Sequence, residues 1–346
     1  MSDFVFPAAD GPSLTDTPVL RWGVVGTGQI AGDFVDALHA HTAQRVVAVT
    51  SRTTERGDAF AAVHGVERTF TDAHAMAADP GVDVVYVATP HRQHLEGALA
   101  AITAGTPVLV EKPLGLSPGE AASVAAASRE HGVFAAEGMW TRYHPGFRVL
   151  AKLLADGALG DVLLAHADVG WRVPLDVPTR FLDPVEGGAL LDMGIYSIWF
   201  AQFAIGHATS VAASGRLHDV DGGRVDVASA ALFTGATGAR ATATSTLLGT
   251  TDGLASIVGT AGTVRFTDHF VFPGRFAVTI GGESTEWRDP DGLVGRAGLA
   301  HEAVGVAALI ADGHTSSPLH SLDDSTALAT TLAAVRSALD EQDTPR

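Results

Sequence analysis

The residues best suited to acid–base chemistry are one lysine and an aspartate–tyrosine pair. Only two of the 22 basic residues are lysine, and one of them, Lys112, belongs to the sequence Glu111-Lys112-Pro113 that directly follows an apolar run. Lysine, unlike arginine, can lose its proton when burial shifts its pKa. Asp192 and Tyr196 interrupt the apolar stretch 189–204 and are four residues apart, so one α-helix would present both on the same face. A neighbouring ammonium lowers the pKa of a phenol, so Lys112 beside Tyr196 would form a pair suited to oxidising an alcohol.

These residues also admit a purely structural explanation. Lys112 could be a salt-bridged surface lysine, as we expect for Lys152 on the polar side of a helix predicted over 146–155. Asp192 and Tyr196 could satisfy each other's hydrogen bonds inside one helix. Gly194 lies between them and lowers helix propensity, which indicates the close approach of another segment.

A glycine-rich loop precedes the first predicted helix. The sequence 26–31 has the pattern G-x-G-x-x-A and lies between an apolar run and a helix predicted over 30–41. This context is the one that a dinucleotide-binding loop needs, because the glycines and the helix N-terminus together can hold a pyrophosphate. The predicted cofactor-binding residues of this loop are Gly26, Thr27, Gly28, Gln29 and Ile30.

The end of the second predicted strand favours NADP over NAD. An NAD site usually has a carboxylate here for the ribose 2′-hydroxyl, whereas this chain has Ser51 and Arg52, with Arg56 one helical turn further on. A hydroxyl and two guanidinium groups suit a 2′-phosphate. Glu55 lies close by and could contact the ribose, which keeps NAD possible.

Further candidates follow the fourth and fifth predicted strands. In an open parallel sheet, ligands bind beyond the carboxyl ends of the strands. Thr89 and Pro90 end the fourth strand, Glu111 and Lys112 end the fifth, and we assign all four to cofactor binding. His94 is a further candidate, although a capping or packing role explains it equally well.

The elements that must position these residues form two domains. From residue 21 to 139, short apolar strands alternate with helices, which predicts a parallel sheet covered on both faces. After about residue 140 the pattern predicts helices and an open antiparallel sheet. We therefore expect an α/β Rossmann dinucleotide-binding domain over 19–142, a C-terminal α+β domain over 143–346 and an N-terminal arm over 1–18.

Composition excludes several classes of protein. The chain has 346 residues, 39 acidic against 22 basic, a net charge of −17 and no cysteine. A disulfide framework, a thiolate metal site and a phosphate-backbone partner are therefore not expected. The 15 histidines are scattered, and we predict no metal site. The residues 1–18 lack lysine and arginine, and the apolar region 187–206 is short and contains polar residues, so we expect a cytoplasmic protein with no membrane partner.

Several segments together resemble the Gfo/Idh/MocA oxidoreductase family. The resemblance implies a Rossmann domain followed by an α+β domain whose mostly antiparallel sheet often forms a dimer interface, so we expect a homodimer or a higher homo-oligomer. It also implies an active site in a cleft between the domains. The matching segments are RWGVVGTGQIA, VVAVTSR, VDVVYVATPHRQH, GTPVLVEKPL, EGMWTRYHP, EGGALLDMGIYSI and GLAHEAVGVAALIADGHTSSPL.

The resemblance also implies roles for individual residues. The family's catalytic lysine and aspartate correspond to Lys112 and Asp192. Many members have histidine where this chain has Tyr196, which is similar to the branch that contains dimeric dihydrodiol dehydrogenase, glucose–fructose oxidoreductase and NADP-dependent D-xylose dehydrogenase. Trp140 and Arg142 lie in a segment that lines the cleft in that branch. Ser316, His144 and the pair of glycines at 187–188 depart from the family pattern and weaken the transfer of a substrate identity.

The resulting hypothesis is an NADP-dependent dehydrogenase that acts on a cyclic polyol, most simply an aldose at C1. Tyr196 would act as the general base, and Asp192 would orient the substrate hydroxyls. Trp140, Trp171 and Phe181 are candidates for an apolar wall against the ring, although the last two could equally be core residues. A trans-dihydrodiol is the alternative substrate, and a non-catalytic dinucleotide-sensing regulatory protein is the alternative from another class.

Overall fold

The structure, a computed structural model, describes residues 4–342. Within that range the chain divides into two compact units. The parallel-sheet unit comprises residues 10–145 and 293–329, and the open-sheet unit comprises residues 4–9, 146–292 and 330–342. The ranges expected from sequence place 293–329 in the second domain, whereas these residues pack with the first.

The parallel-sheet unit is built from alternating strands and helices. Its described strands form a six-stranded parallel sheet in the order β3-β2-β1-β4-β5-β6. The order reverses between β1 and β4, which is where ligands bind in sheets of this topology. The elements are β1 (Arg21–Val25), α1 (Gln29–His41), β2 (Arg45–Thr50), α2 (Thr54–His64), β3 (Arg68–Phe70), α3 (Ala73–Ala77), β4 (Val84–Val87), α4 (His94–Thr103), β5 (Val108–Glu111), α5 (Pro118–His131) and β6 (Ala135–Gly138).

Local sequence explains where these elements begin and end. The four residues of β4 are all buried, as expected for an apolar strand covered on both faces. Helix α5 begins with a reciprocal cap, because Ser117 Oγ accepts from the N–H of Glu120 at 3.2 Å and Glu120 Oε2 accepts from the N–H of Leu116 at 2.7 Å. It ends at Gly132, which has a φ of +64° and adopts the left-handed conformation that glycine tolerates.

The open-sheet unit contains eight strands among its described residues. Their order is β14-β13-β12-β11-β7-β10-β9-β8, with β7 and β10 parallel and the other neighbours antiparallel. Helix α7 packs against β7 and β10. The elements are α6 (Pro145–Ala155), β7 (Val162–Gly170), α7 (Ile195–Ile205), β8 (Ala208–Val220), β9 (Gly223–Gly235), β10 (Arg240–Thr246), β11 (Ala255–Gly259), β12 (Gly262–Phe266), β13 (Arg275–Ile280) and β14 (Glu283–Arg288).

Aromatic rings form much of the core of the open-sheet unit. The ring of Phe147 in α6 stacks on Phe266 of β12 with a centroid separation of 5.3 Å. It also makes edge contacts with Trp199 and Phe200 of α7. These rings supply a large buried apolar area that fixes α6 and α7 on the sheet.

Two helices close the chain. Helix α8 (Leu299–Ala311) packs against α1 and against a 3₁₀ turn over Trp140–Tyr143, which explains why it belongs to the parallel-sheet unit. Helix α9 (Leu322–Gln342) contributes residues to both units. Of the helices in residues 4–342, none has the length and apolar character that crossing a bilayer requires.

The predicted fold class is confirmed. A parallel Rossmann sheet with helices precedes a large, mostly antiparallel sheet. One element differs from the prediction, since the segment 189–204 is not a single α-helix: its first turn, Leu190–Gly194, is π-helical, and α7 begins after it.

Candidate active site

The glycine loop after β1 needs glycine at one position and leaves open space at another. Gly26 has a φ of +111°, and a Cβ there would lie 2.5 Å from the carbonyl oxygen of Ala88. A side chain is therefore excluded where the loop passes the end of β4. Gly28 has an ordinary φ of −83°, and apart from its chain neighbours no described residue lies within 4 Å of the position that its Cβ would take.

The open space at Gly28 lies at the N-terminus of α1. Gly28 is the N-cap residue, and no side chain in residues 4–342 caps the helix through a hydrogen bond. Gln29 in the first turn is exposed. Uncapped N–H groups and the positive end of the helix dipole form an anion-binding site, so these residues fit the pyrophosphate of a dinucleotide.

The end of β2 presents two accessible cations. Ser51 is buried, whereas Arg52 and Arg56 are exposed, and neither guanidinium forms an ion pair within the described chain. Thr53 caps α2 by accepting a hydrogen bond from the N–H of Arg56 at 3.4 Å. Glu55 is exposed in the same first turn. The charges at this strand end thus remain available to a ligand.

The loop after β4 contains a buried hydroxyl and a buried histidine. Thr89 Oγ1 is buried and has no hydrogen-bond partner among residues 4–342, whereas Pro90 is exposed. The ring of His94 is buried, with Nδ1 2.7 Å from the carbonyl oxygen of Pro113 and Nε2 3.0 Å from that of Thr89. Burial lowers the pKa of His94. His94 therefore joins the loops after β4 and β5, which is the packing role that the sequence left open beside direct cofactor contact.

Lys112 lies at the carboxyl end of β5 and is half-buried. Its backbone N–H donates to Glu111 Oε2 at 3.2 Å, and Tyr86 Oη donates to Glu111 Oε1 at 2.5 Å. Burial, and then the charge of Glu111, raises the pKa of Tyr86 well above its ordinary value, so this phenol stays protonated and donates. The Lys112–Pro113 peptide bond is cis.

Next to Glu111 lies a group of buried carboxyl groups. Glu137 Oε1 accepts from the N–H of Leu114 at 2.8 Å, and its Oε2 lies 3.0 Å from His320 Nε2. Glu302 in α8 is fully buried, and neither of its carboxyl oxygens has a hydrogen-bond partner in the described part of the chain. Burial, and then the charges of Glu111 and Glu137, raises the pKa of Glu302 well above its ordinary value.

Trp140 and Arg142 are fixed within the parallel-sheet unit. Trp140 is buried, its ring centroid lies 5.4 Å from that of His144, and the guanidinium carbon of Arg296 lies 5.4 Å from the Trp140 ring. Arg142 Nε donates to the carbonyl oxygen of Leu319 at 2.8 Å. The segment 293–329 therefore supplies partners for both residues.

Asp192 and Tyr196 are both buried in the open-sheet unit. Asp192 lies in the π-helical turn and Tyr196 in the first turn of α7. The turn with Asp192 has i→i+5 hydrogen bonds in place of the i→i+4 bonds of the α-helix that the sequence predicted. The close approach predicted at Gly194 is made by β10, since a Cβ there would lie 2.9 Å from Ser245 Oγ.

The charge of Asp192 is balanced by an arginine outside the helix. Arg180 Nη1 donates to Asp192 Oδ1 at 2.6 Å, although the Arg180 side chain is 61% exposed and that of Asp192 only 1% exposed. The guanidinium carbon lies 4.2 Å from the ring centroid of Phe181, within cation–π distance. Phe181 meets Trp171 edge to face at 6.5 Å, and both rings are partly exposed.

Comparisons with known proteins show the family of this chain. Residues 20–139 match the oxidoreductase family with an NAD-binding Rossmann fold, and residues 147–265 match the Gfo/Idh/MocA C-terminal domain. The human trans-1,2-dihydrobenzene-1,2-diol dehydrogenase is 32% identical over 329 residues, which cover 92% of this chain and 97% of the human enzyme. The chain belongs to the Gfo/Idh/MocA oxidoreductase family.

Solved structures of other oxidoreductases share the fold. A 3-ketoreductase from Actinomadura kijaniata, solved with NADP and TDP-benzene, is 27% identical with a TM-score of 0.78, covering 93% of this chain and 98% of that protein. A levoglucosan dehydrogenase, solved with NADH and levoglucosan, has a TM-score of 0.84 at 20% identity, covering 94% and 98% of the two chains.

This Gfo/Idh/MocA protein is an oxidoreductase that acts on CH–OH groups, with an NAD-binding Rossmann domain. The prediction of family, fold class and reaction type is thereby confirmed. The residues present fit a nicotinamide dinucleotide, because α1 has an uncapped N-terminus beside open space at Gly28 and the end of β4 has an unpartnered buried hydroxyl on Thr89.

Sequence reasoning missed four ionisable side chains of this oxidoreductase. A buried Asp192 requires a partner, but nothing in the spacing indicates Arg180, twelve residues earlier. Glu137 and Glu302 each interrupt apolar segments, and that interruption was the available signal for the buried carboxyl group. Asp226, which contacts the helix that carries Asp192, gave no signal in a strand-like segment.

Proposed function

We propose that the protein is an NADP-dependent dehydrogenase that oxidises a ring hydroxyl of a cyclic polyol, with an aldose at C1 as the first candidate. The observation that carries the proposal is the Asp192–Arg180 ion pair, which holds a buried carboxylate one helical turn before the buried Tyr196. A carboxylate and a phenol on one helix offer the acceptor and the base that a polyol needs.

Each side chain has a distinct task in the proposed reaction. Lys112, at the end of β5, stabilises the phenolate form of Tyr196 by its positive charge. Tyr196 then accepts the proton of the hydroxyl group that is oxidised. A bound nicotinamide supplies the acceptor for the hydride.

The remaining candidates bind and orient the substrate. Asp192 accepts hydrogen bonds from neighbouring hydroxyls and so fixes which carbon is presented to the cofactor. Arg142 and Trp140 belong to the parallel-sheet unit. Trp171 and Phe181 provide partly exposed rings against which an apolar ring face could pack.

The cofactor preference rests on the end of β2. Ser51, Arg52 and Arg56 replace the carboxylate that would hold an unmodified ribose, and both guanidinium groups are accessible. An adenosine 2′-phosphate is the group that suits them best. The relative solved with NADP at 27% identity supports this preference.

A trans-dihydrodiol is the second candidate substrate. The relatives named trans-1,2-dihydrobenzene-1,2-diol dehydrogenase are 30–32% identical over at least 90% of this chain. A cyclic trans-diol and a pyranose share a ring with adjacent hydroxyls, so the same base and the same carboxylate could serve both. The choice between the two substrates therefore depends on the protein contacts around the rest of the ring.

A screen of purified enzyme decides among these functions. Aldoses and trans-1,2-dihydrobenzene-1,2-diol are offered with NADP and with NAD, and the absorbance of the reduced nicotinamide is followed. Reduction with an aldose supports the first candidate, and reduction with the diol alone supports the second. Cofactor binding without reduction by any sugar or diol would instead support the dinucleotide-sensing regulatory protein.

Replacement of the proposed base gives a sharper test. Tyr196→Phe removes only the hydroxyl oxygen, so we expect a loss of turnover of at least about a hundredfold, since general base catalysis contributes on that order. Binding of NADP, measured by fluorescence titration, and the melting temperature should stay close to those of the wild type. A variant that turns over at the wild-type rate would refute the assignment of Tyr196.

We also propose that the open sheet forms a homodimer interface. On one face of the sheet, Leu164 of β7 and Leu232 of β9 are exposed, and the paired positions between them are Arg240 and Thr242 of β10. A larger apolar patch on an open sheet face is typical of a protein–protein contact, and these two leucines are the candidates for such a patch. Analytical ultracentrifugation tests this directly, with Leu164→Asp expected to dissociate the oligomer and a monomeric wild type contradicting the proposal.

A further inference from the structure

Asp226 in β9 lies against the start of the segment that carries the two candidate catalytic residues of the open-sheet unit. Its carboxylate is buried, with 6% of the residue exposed. Asp226 Oδ2 accepts a hydrogen bond from the backbone N–H of Leu190 at 2.6 Å. Leu190 is the first residue of the π-helical turn that contains Asp192 and leads into Tyr196. The carboxylate therefore satisfies a backbone donor that the helix itself cannot satisfy.

Gly187 and Gly188 precede this turn, and Gly188 lies against the same carboxyl group. Gly188 has a φ of +98°, and a Cβ there would collide with Asp226 Oδ1. The N–H of Gly188 donates to the carbonyl oxygen of Phe181 at 2.8 Å. A Cβ on Gly187 would lie 2.6 to 2.7 Å from the carbonyl oxygens of residues 180, 181 and 183. Asp226 thus packs at the junction of the loop that carries Arg180 and the turn that carries Asp192.

The surroundings of Asp226 act on its pKa in opposite directions. Burial raises the pKa of Asp226 to about 7, opposed by the hydrogen bond from Leu190 and the charge of Arg336 in α9. Asp192, on the neighbouring turn, adds to the increase by repulsion. Arg336 and Asp192 are the charged side chains that act on Asp226 from the elements packed against it. The group can consequently gain or lose its charge within the neutral range.

We propose that Asp226 is a positioning residue whose ionised carboxylate holds the π-helical turn Leu190–Gly194 in place. Protonation of this carboxylate loosens the turn and lowers activity. Protonation weakens a charge-assisted hydrogen bond at the positive end of a helix. The π-helical turn with Asp192 is then held less firmly, and so is the Arg180 side chain that is bonded to Asp192. The kinetic part of this inference rests on the proposed function of Asp192 and Tyr196; the structural part does not.

Two substitutions separate the hydrogen bond from the charge. Asp226→Asn keeps an acceptor for the N–H of Leu190 but cannot titrate, whereas Asp226→Ala removes the acceptor. We expect Asp226→Ala to lower kcat about tenfold, as for a buried donor left without its partner, with the KM for the cofactor nearly unchanged. Asp226→Asn resembles the protonated carboxyl, so at every pH its kcat should lie close to that of the wild type at low pH, above that of Asp226→Ala, and its profile should lack the inflection near pH 7 that we expect of the wild type. Asp161→Asn, at an exposed position of the same unit, serves as the matched control.

Hydrogen exchange of the Leu190 amide tests the same inference without a substrate. After correction for the intrinsic pH dependence of exchange, the wild type should protect this amide less at pH 6 than at pH 8. Asp226→Asn should give a protection that does not depend on pH, and Asp226→Ala should lose it. Equal protection in all three proteins, or a kcat inflection near pH 7 that persists in Asp226→Asn, would overturn the inference. If no substrate is turned over, the proposed function fails while the exchange data still decide the role of Asp226.

Discussion

Arg180 Nη1 lies 2.6 Å from Asp192 Oδ1, so an exposed guanidinium balances the charge of a carboxylate that is almost completely buried. An unpaired carboxylate at this depth would be strongly destabilised. Arg180 therefore keeps Asp192 available as a hydrogen-bond acceptor. The same guanidinium stacks on Phe181, which ties the charge pair to a partly exposed aromatic surface.

Arg180→Ala should impair the proposed substrate site without affecting the cofactor. Because Arg180 is largely exposed, the loss is smaller than for a fully buried pair, and we expect kcat/KM for the polyol to fall roughly tenfold to a hundredfold, which is a loss of about 1.4–2.7 kcal/mol of transition-state stabilisation. Steady-state kinetics at saturating NADP measure this. Arg180→Lys should recover part of the activity, because it keeps the charge but not the planar geometry.

Arg216→Ala provides the control for this prediction, since Arg216 is an exposed arginine of β8 in the same unit. Its kinetic constants should match those of the wild type. If Arg180→Ala and Arg216→Ala behave alike, Arg180 does not support the substrate site.

The two glycines of the loop after β1 should respond differently to alanine. Gly28→Ala places a methyl group in open space at an ordinary φ, so the fold should be unaffected while close approach of a pyrophosphate is blocked. Gly26→Ala should destabilise the protein by roughly 1–3 kcal/mol, because of its positive φ and the nearby carbonyl oxygen of Ala88. Thermal unfolding and NADP titration measured on both variants separate the two effects. Unweakened cofactor binding in Gly28→Ala would place the pyrophosphate elsewhere.

Arg52→Ala should change the choice between the two nicotinamide cofactors. Loss of one charged contact to a 2′-phosphate should raise the KM for NADP about tenfold, while the KM for NAD stays within about twofold. Arg45→Ala is a suitable control, because Arg45 is exposed at the opposite end of the same strand. An equal effect of Arg52→Ala on both cofactors would show that the guanidinium does not contact the 2′-phosphate.

Much of the fold could be predicted from the sequence because its signals are local. The apolar runs of β1, β4 and β5, the glycine loop and the alternation with helices each specify a βαβ unit within some 30 residues. The position of residues 293–329 could not be predicted in this way. It depends on packing of α8 against α1, which lies more than 250 residues earlier, and no periodicity reports such a contact.

The candidate site also contains residues that local sequence signals indicate and residues that they do not. Lys112 and Tyr196 stand out in the sequence because their types are rare or out of place in apolar segments. The partners that hold the site do not, since Arg180 and Asp226 are ordinary charged residues in segments that read as loop or strand. The π-helical turn at Leu190–Gly194 is likewise invisible to a hydrophobic pattern, because it depends on a carboxylate from β9 and on the approach of β10.

The buried carboxyl of Glu302 gives a prediction that concerns stability instead of catalysis. Burial and the charges of Glu111 and Glu137 raise the pKa of Glu302 well above the ordinary value of 4.5, so the native state holds this proton over a range in which the unfolded state has lost it. The free energy of unfolding therefore falls as the pH rises above about 4.5. The fall contributed by one such group is about 1.4 kcal/mol per pH unit until the native carboxyl ionises.

Glu302→Gln removes this titration while keeping the size and shape of the side chain. Burying the amide of this variant changes the free energy of unfolding by an amount that does not depend on pH. The informative quantity is therefore how the free energy of unfolding varies with pH, and not its value at any single pH. We expect the free energy of unfolding of the variant, relative to that of the wild type, to increase steadily from pH 5.5 to pH 8.5. Urea unfolding at several pH values measures this difference, and Glu96→Gln, at an exposed position of α4, should show none. A difference between Glu302→Gln and wild type that is the same at every pH would mean that Glu302 is already ionised in the native protein.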